Sequence, residues 1–194
     1  GSGIVLGALF RRHDNDHSRR QIIAFTDPET QRLLGTGGSH LVDNYWGRYV
    51  LVMRDRHTDG HHILRDPTAE MPCFHSRWRD IDIFFSHVED VVRFVPIPFS
   101  INWRHLVARL AVGKMLNAET GLNEVTDIPG GARVTRRGAS NVETVAIWRP
   151  AAFCESNSLR DENEAAHTLR STVQEGVTAW ASCHGNRRAP RVIP

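Results

Sequence analysis

Apolar and polar positions alternate between several regimes along this chain, and each regime predicts an element. Ile4-Val-Leu-Gly-Ala-Leu-Phe10 is an unbroken apolar run with branched residues, which predicts a buried strand. Residues 11–20 are polar and charged, as in a solvated loop. Asp27-Pro-Glu-Thr-Gln-Arg-Leu-Leu34 predicts a short helix, with Asp27 as N-cap, Pro28 at its first position, and Gly35, Gly37 and Gly38 ending it. Leu41, Val42, Tyr45 and Trp46 predict a second short helix, broken at Gly47, where a strand over 49–53 begins. Turn residues over 55–60 and a return strand over 61–64 complete a hairpin.

Further on, 82–85 predicts a strand and 88–94 a short helix, followed by an extended connector at Pro96 and Pro98. Asn102 caps a helix over 103–113, in which Trp103, Leu106, Val107 and Leu110 fall at helical spacing and predict core packing. Residues 127–134 predict a turn and a strand, with 143–148 as its partner. Small and polar residues over 151–159 suggest a linker between a domain at 1–150 and a second unit at 160–194. There, Ser158-x-x-Asp161 has capping-box spacing. The helix it opens carries an apolar stripe at Leu169, Val173, Val177 and Trp180 and stops near Gly185. Arg191-Val-Ile-Pro194 reads as the first residues of a buried strand.

Composition narrows the class. Apolar residues make up 40% of the chain and charged residues 24%, as in a folded globular domain. A net charge of +2 gives no argument for nucleic acid or an anionic membrane as partner. Lys114 is the only lysine, an arginine bias expected first from genome composition. Cys73, Cys154 and Cys183 are scattered and odd in number, which suggests neither a disulfide framework nor a zinc site and fits a reducing, cytoplasmic setting. No apolar run approaches membrane-spanning length, and the first residues lack the basic segment of a signal peptide. Gly1-Ser2 resembles a cloning scar.

Candidate chemistry is sparse. His13, Asp14, Asp16 and His17 sit in a polar loop and are expected to be solvated rather than metal-bound, and His61 and His62 point to opposite faces of one strand. Cys73 lies beside Pro72 and Phe74 and is expected to be a buried small apolar residue rather than a nucleophile. Arg65-Asp66 predicts a hydrogen-bonded turn. Trp46, Trp103, Trp148 and Trp180 are expected as core or interface anchors, and Trp78, between Arg77 and Arg79, as an exposed contact residue.

Four stretches in order carry a resemblance: Gly47-Arg-Tyr-Val-Leu-Val-Met-Arg-Asp55, Leu64-Arg-Asp-Pro67, Met71-Pro-Cys-Phe74 and Phe84-Phe-Ser-His87. Their order and spacing resemble the glutamine-amidotransferase domain of the asparagine synthetase family. Thr120-Gly-Leu122, Asp127-Ile-Pro-Gly130 and Trp148-Arg-Pro150 extend the resemblance toward that family's second domain. It implies an α+β fold with two antiparallel sheets face to face and helices outside, as in N-terminal nucleophile hydrolases. The helix from Asp161 would then open an α/β ATP-binding domain, with Arg191-Val-Ile-Pro194 stopping where the family's pyrophosphate loop follows.

The family's glutaminases use an N-terminal Cys as nucleophile. This chain has no Cys before Cys73. The preferred register puts Leu6-Gly-Ala-Leu-Phe10 in place of the strand that supplies Asn and Glu to glutamine, with the nucleophile segment lying before it. Gly7, Leu9 and Asp27 then mark a degenerate substrate pocket, Asp27 standing where an amine-binding Asp belongs unless it serves only as a cap. The resemblance implies no catalytic residue, cofactor or metal in this stretch, and ATP with Mg²⁺ for the intact protein.

A silent glutaminase domain suits the branch that makes lasso peptides. Those cyclases adenylate an Asp or Glu side chain of a precursor peptide, whose own α-amine then attacks. Gly7-Ala-Leu-Phe-Arg-Arg12, Tyr45-Trp-Gly-Arg-Tyr-Val50, Leu64-Arg-Asp-Pro67 and Pro72-Cys-Phe74 look like that branch. A precursor peptide and its processing protease would be the partners, with a homodimer possible through the apolar stripe of the last helix. A glutamine-hydrolysing asparagine synthetase lacking its N-terminal Cys, and a peptide- or protein-binding module, are the alternative readings.

Overall fold

A computed structural model describes residues 2–12, 23–55, 60–113, 117–137, 141–154 and 161–184. The cluster from His13 to His17, the turn at 56–59, Ser158, Gly185 and Arg191-Val-Ile-Pro194 lie outside the described residues.

The chain order is β1 (Ser2–Arg11), α1 (Asp27–Gly35), α2 (Ser39–Asn44), β2 (Tyr45–Asp55), β3 (Gly60–Arg65), β4 (Phe74–Trp78), β5 (Ile81–Phe85), α3 (Val88–Phe94), α4 (Trp103–Val112), β6 (Val125–Asp127), β7 (Ala132–Arg137), β8 (Asn141–Ala146), α5 (Ala151–Cys154) and α6 (Glu162–His184). Every pairing is antiparallel. One sheet has five strands in the order β1-β2-β3-β7-β8, and a second has three in the order β5-β4-β6. The fold is therefore α+β with two antiparallel sheets.

Alternation along β2 builds both halves of the core, because successive side chains leave opposite faces of a strand. Tyr49, Leu51 and Met53 join Leu33 of α1, Leu41 and Val42 of α2, and Leu64 of β3. Val50, between them, joins Ile63, Val134, Cys73 and Ile128, with Phe84 of the small sheet packed alongside. One face of the large sheet is thus covered by helices, and the other shares its apolar cluster with the small sheet.

The Arg65-Asp66 corner ties these layers. Arg65, at the end of β3, donates to the Asp127 carboxylate at 2.7 Å and to the carbonyls of Ile128, Met71 and Ala69 at 2.6, 2.7 and 2.7 Å. Asp66 is 0% exposed. Its carboxylate accepts from the Tyr49 N–H at 3.2 Å, the Thr68 N–H at 2.8 Å and the Thr68 hydroxyl. The Gly131 N–H donates to the carbonyls of both residues. The expected hydrogen-bonded turn is present, since the Ala69 N–H closes on the Asp66 carbonyl.

Several expectations fail for identifiable reasons. The run from Ile4 to Phe10 is a strand, but an edge strand, and Ile4 is 56% exposed. Thr26, not Asp27, caps α1: its hydroxyl accepts from the Glu29 N–H while the Glu29 carboxylate accepts from the Thr26 N–H, the reciprocal capping box. Gly47 does not break a helix before β2; it lies inside β2, and α2 ends at Asn44. The segment expected as a linker begins with the short helix α5. Asp161, expected as the acid of a capping box, itself accepts from the Glu164 N–H and opens α6. Trp78 is half-buried, with the Arg79 guanidinium over its ring. Trp103, Val107 and Leu110 are exposed rather than core, because α4 buries its other side at His105.

Replacing Asp66 by Ala strands the Tyr49 and Thr68 donors at this corner. We expect a loss of about 2–4 kcal/mol of stability in urea denaturation, with the m-value unchanged.

Candidate functional site

The three candidate pocket residues lie near the junction of β1, β2 and α1, and the chain's own contacts occupy that junction. Gly7 pairs with Tyr49 and Leu9 with Gly47. Gly7 has φ +118° and Gly47 φ +133°, values that L side chains rarely adopt. A Cβ on Gly7 would lie 2.2 Å from the Arg48 carbonyl oxygen, and one on Gly47 would lie 2.3 Å from that of Ala8. Two glycines on facing strands let the backbones approach closely, so this stretch of β1 presents main chain and no side-chain amide.

Leu9 is partly buried against the cluster of Leu33, Leu41 and Tyr49. Asp27 is exposed in the first turn of α1, where its charge complements the helix dipole. The structure therefore places Leu9 half-buried against the core and Asp27 at the surface.

The carboxylate that does meet β1 here is Glu29. One oxygen accepts from the Arg11 guanidinium at 2.6 Å and the Tyr45 hydroxyl at 2.9 Å. The other accepts from the Thr26 N–H and hydroxyl, both at 2.9 Å. The Arg11 guanidinium foremost, then the Thr26 N–H, hold Glu29 far below the usual carboxylate range. Burial, then the bond to Glu29, push Tyr45 up to about 12. With both oxygens taken, Glu29 has no free position for a ligand's ammonium group. The pattern Thr26-x-x-Glu29 signals this cap in the sequence, but Asp27-Pro28 offers a competing one.

On the face opposite Leu9, Phe10 stacks on Trp46 with centroids 4.6 Å apart, and Trp180 of α6 meets Phe10 edge-on at 5.3 Å. The Arg48 guanidinium lies over the Trp180 ring. This is how the last turns of α6 dock onto the large sheet, and it gives Trp46 and Trp180 the anchoring roles expected of them.

Two other clusters hold reactive group types. His75 Nε2 lies 2.8 Å from Asp82, and Asp82 also pairs with Arg136. Burial, then the Arg136 and Arg77 charges, lower the His75 pKa, so the neutral ring bonds to Asp82. Among the described residues His75 bonds to no hydroxyl or thiol. Cys73 is buried, and desolvation pushes its thiol up to about 11, away from the thiolate that attack requires. Among the described residues no group of three or more His, Cys, Asp or Glu is placed to hold a metal, and no helix is long and apolar enough to cross a membrane.

No family model matches the chain, and no curated protein matches it.

Two outcomes follow from these environments. Cys73 should resist iodoacetamide at pH 8 in the native protein and react once unfolded, as read by peptide mass mapping. Because the Glu29 pKa is depressed on folding, its contribution to stability is complete above the ordinary carboxylate range and is lost as pH falls below it. Glu29→Gln should therefore flatten the dependence of the urea midpoint on pH below about 5.

Proposed function

We propose that this chain is the non-catalytic, amidotransferase-like portion of an ATP-dependent amide-forming ligase of the asparagine synthetase family, specifically of a lasso peptide cyclase. The observation that carries the reading is at β1. Where a glutamine-hydrolysing relative needs polar groups, Gly7, Ala8 and Leu9 offer a tight backbone contact to β2 and an aliphatic side chain directed into the core. The nearby carboxylate, Glu29, is saturated by its own chain. Ammonia release requires an activated thiol, donors for an oxyanion and groups that hold both ends of glutamine. An enzyme whose peptide substrate brings its own amine has no use for them.

Within this reading the two sheets form the N-terminal nucleophile hydrolase sandwich, and α6 is the first helix of the ATP-binding domain. Its exposed Leu169, Val173 and Val177 are then covered by the rest of that domain, or by a second copy. ATP and Mg²⁺ bind in that domain of the intact protein, whose partners are the precursor peptide and its protease in the cytoplasm. The exposed apolar side of α4 favours one alternative, a peptide- or protein-binding module.

The test has two arms. Incubated with glutamine, this chain should release no glutamate above buffer; release would overturn the reading. The intact protein, given ATP, Mg²⁺ and a peptide bearing a free α-amine and an internal Asp or Glu, should form AMP and a peptide lighter by one water. A requirement for glutamine or ammonia in that reaction would transfer the assignment to an asparagine synthetase.

A further inference from the structure

Strand β1 is a sheet edge without a guard. Among the described residues it pairs with β2 on one side and with no strand on the other. An open edge presents a row of unpaired N–H and C=O groups, which proteins normally blunt with charge, proline or short length. The edges elsewhere in this fold follow that rule. β8, at the far side of the large sheet, carries Glu143 in its middle. In the small sheet, β5 carries Asp82 and β6 is only three residues long. β1 runs for ten residues, and Ser2 to Phe10 contains neither charge nor proline. Arg11, its one charged residue, is held by Glu29 of α1. Ile4 is 56% exposed and Leu6 43%. Both lie on the face opposite Val5 and Leu9, which pack against the cluster on the helix side.

We propose that β1 pairs edge to edge with β1 of a second copy, antiparallel about a two-fold axis at Leu6, so that the two five-stranded sheets become one continuous sheet. The strand's own sequence selects this occupant and this register. In an antiparallel pair, residues directly opposite share a face and pack side by side. With Leu6 facing its own copy, Val5 faces Gly7, Ile4 faces Ala8 and Gly3 faces Leu9. A large residue meets a small one at each of these positions, on both faces of the sheet, so the side chains interlock rather than collide. Only Leu6 meets its like, and it does so on the exposed face. Moving the axis to Val5 sets Gly3 against Gly7, and moving it to Gly7 sets Val5 against Leu9, so the match is lost either way. Closure argues for the same pairing. β1 against β1 is isologous and stops at two copies, with the guarded β8 at each outer edge. β1 against β8 of another copy would repeat head to tail and build an open filament. The inference rests on the outer edge of β1 and does not depend on the catalytic reading.

The test is the oligomeric state of this chain and of two variants at the axis. Sedimentation velocity should show a monomer–dimer equilibrium that shifts with concentration over about a hundredfold range. Leu6 is exposed, so Leu6→Lys and Leu6→Glu should each leave the circular dichroism of the chain unchanged. Each variant sets like charges face to face across the axis and should weaken the dimer at least about tenfold. An equimolar mixture of the two variants should recover it, because Lys then faces Glu. A mixture that stays monomeric, or assembly beyond two copies, would overturn the proposal. So would a dimer that survives both substitutions, which would assign the contact to an exposed helix face. A chain that is monomeric at every concentration would also overturn it and leave the edge to an extended segment of another protein.

Discussion

The structure depends on one buried polar corner. Arg65 ends β3 in the large sheet, yet its guanidinium binds Asp127 and Ile128 at the end of β6 in the small sheet. Asp66, the next residue, accepts from Tyr49 in the middle of β2. One dipeptide thus sets the spacing of two sheets whose shared apolar cluster is small and has no directional preference of its own. Burying charge is costly unless every hydrogen-bonding position is met. Arg65 meets that condition with three carbonyls and a carboxylate, and Asp66 with two backbone donors and a hydroxyl. Apolar contacts make the layers adhere, and this corner decides where they sit relative to one another.

Once β2 is fixed by its Tyr49–Asp66 bond, the placement of β1 is a matter of backbone approach. Gly7 and Gly47 occupy conformations that a residue with a side chain would strain, and each leaves room for the carbonyl of the facing strand. The close approach favours strand pairing and leaves no room for a side chain between the two backbones at these positions. The Arg11–Glu29–Tyr45 cluster completes the closure by tying the end of β1 to α1. Both oxygens of the Glu29 carboxylate at this junction are used to hold the chain together.

Much of the element order was legible, and the departures share a cause. Periodicity in the sequence marks a face but does not say what the face meets. The spacing of Trp103, Leu106, Val107 and Leu110 is that of a core helix, yet His105, a polar residue, is what α4 buries. The run from Ile4 to Phe10 is apolar on both sides, which in a central strand means burial; in β1 it accompanies an open edge, and Ile4 and Leu6 meet solvent. The cap of α1 was legible in principle, since Thr26 and Glu29 have capping-box spacing, but Asp27 before Pro28 is an equally ordinary helix entry. The left-handed backbone at Gly47 could not be read, because a glycine among aromatic residues signals a helix break as readily as a close strand approach. The His75–Asp82–Arg136 cluster was out of reach for a different reason: its members come from three strands in two sheets, and no local pattern joins them.

The apolar surface that remains open is concentrated on helices rather than on the sheet layers. α6 is held by Trp180 and the buried Ala179 near its C-terminal end, while Leu169, Val173 and Val177 stay uncovered; α4 is held by His105 while its stripe stays uncovered. In α4 the attachment is separate from the apolar stripe, whereas in α6 Trp180, the last member of the stripe, makes the attachment. A face that contributes nothing to holding its own helix in place can be covered or uncovered at little cost to the fold. The arrangement differs from that of the Gly7–Leu9 stretch of β1, where the backbone pairs closely with β2 and Leu9 packs against the core. The division leaves the open apolar faces mainly on the helices and the internal order in the sheets.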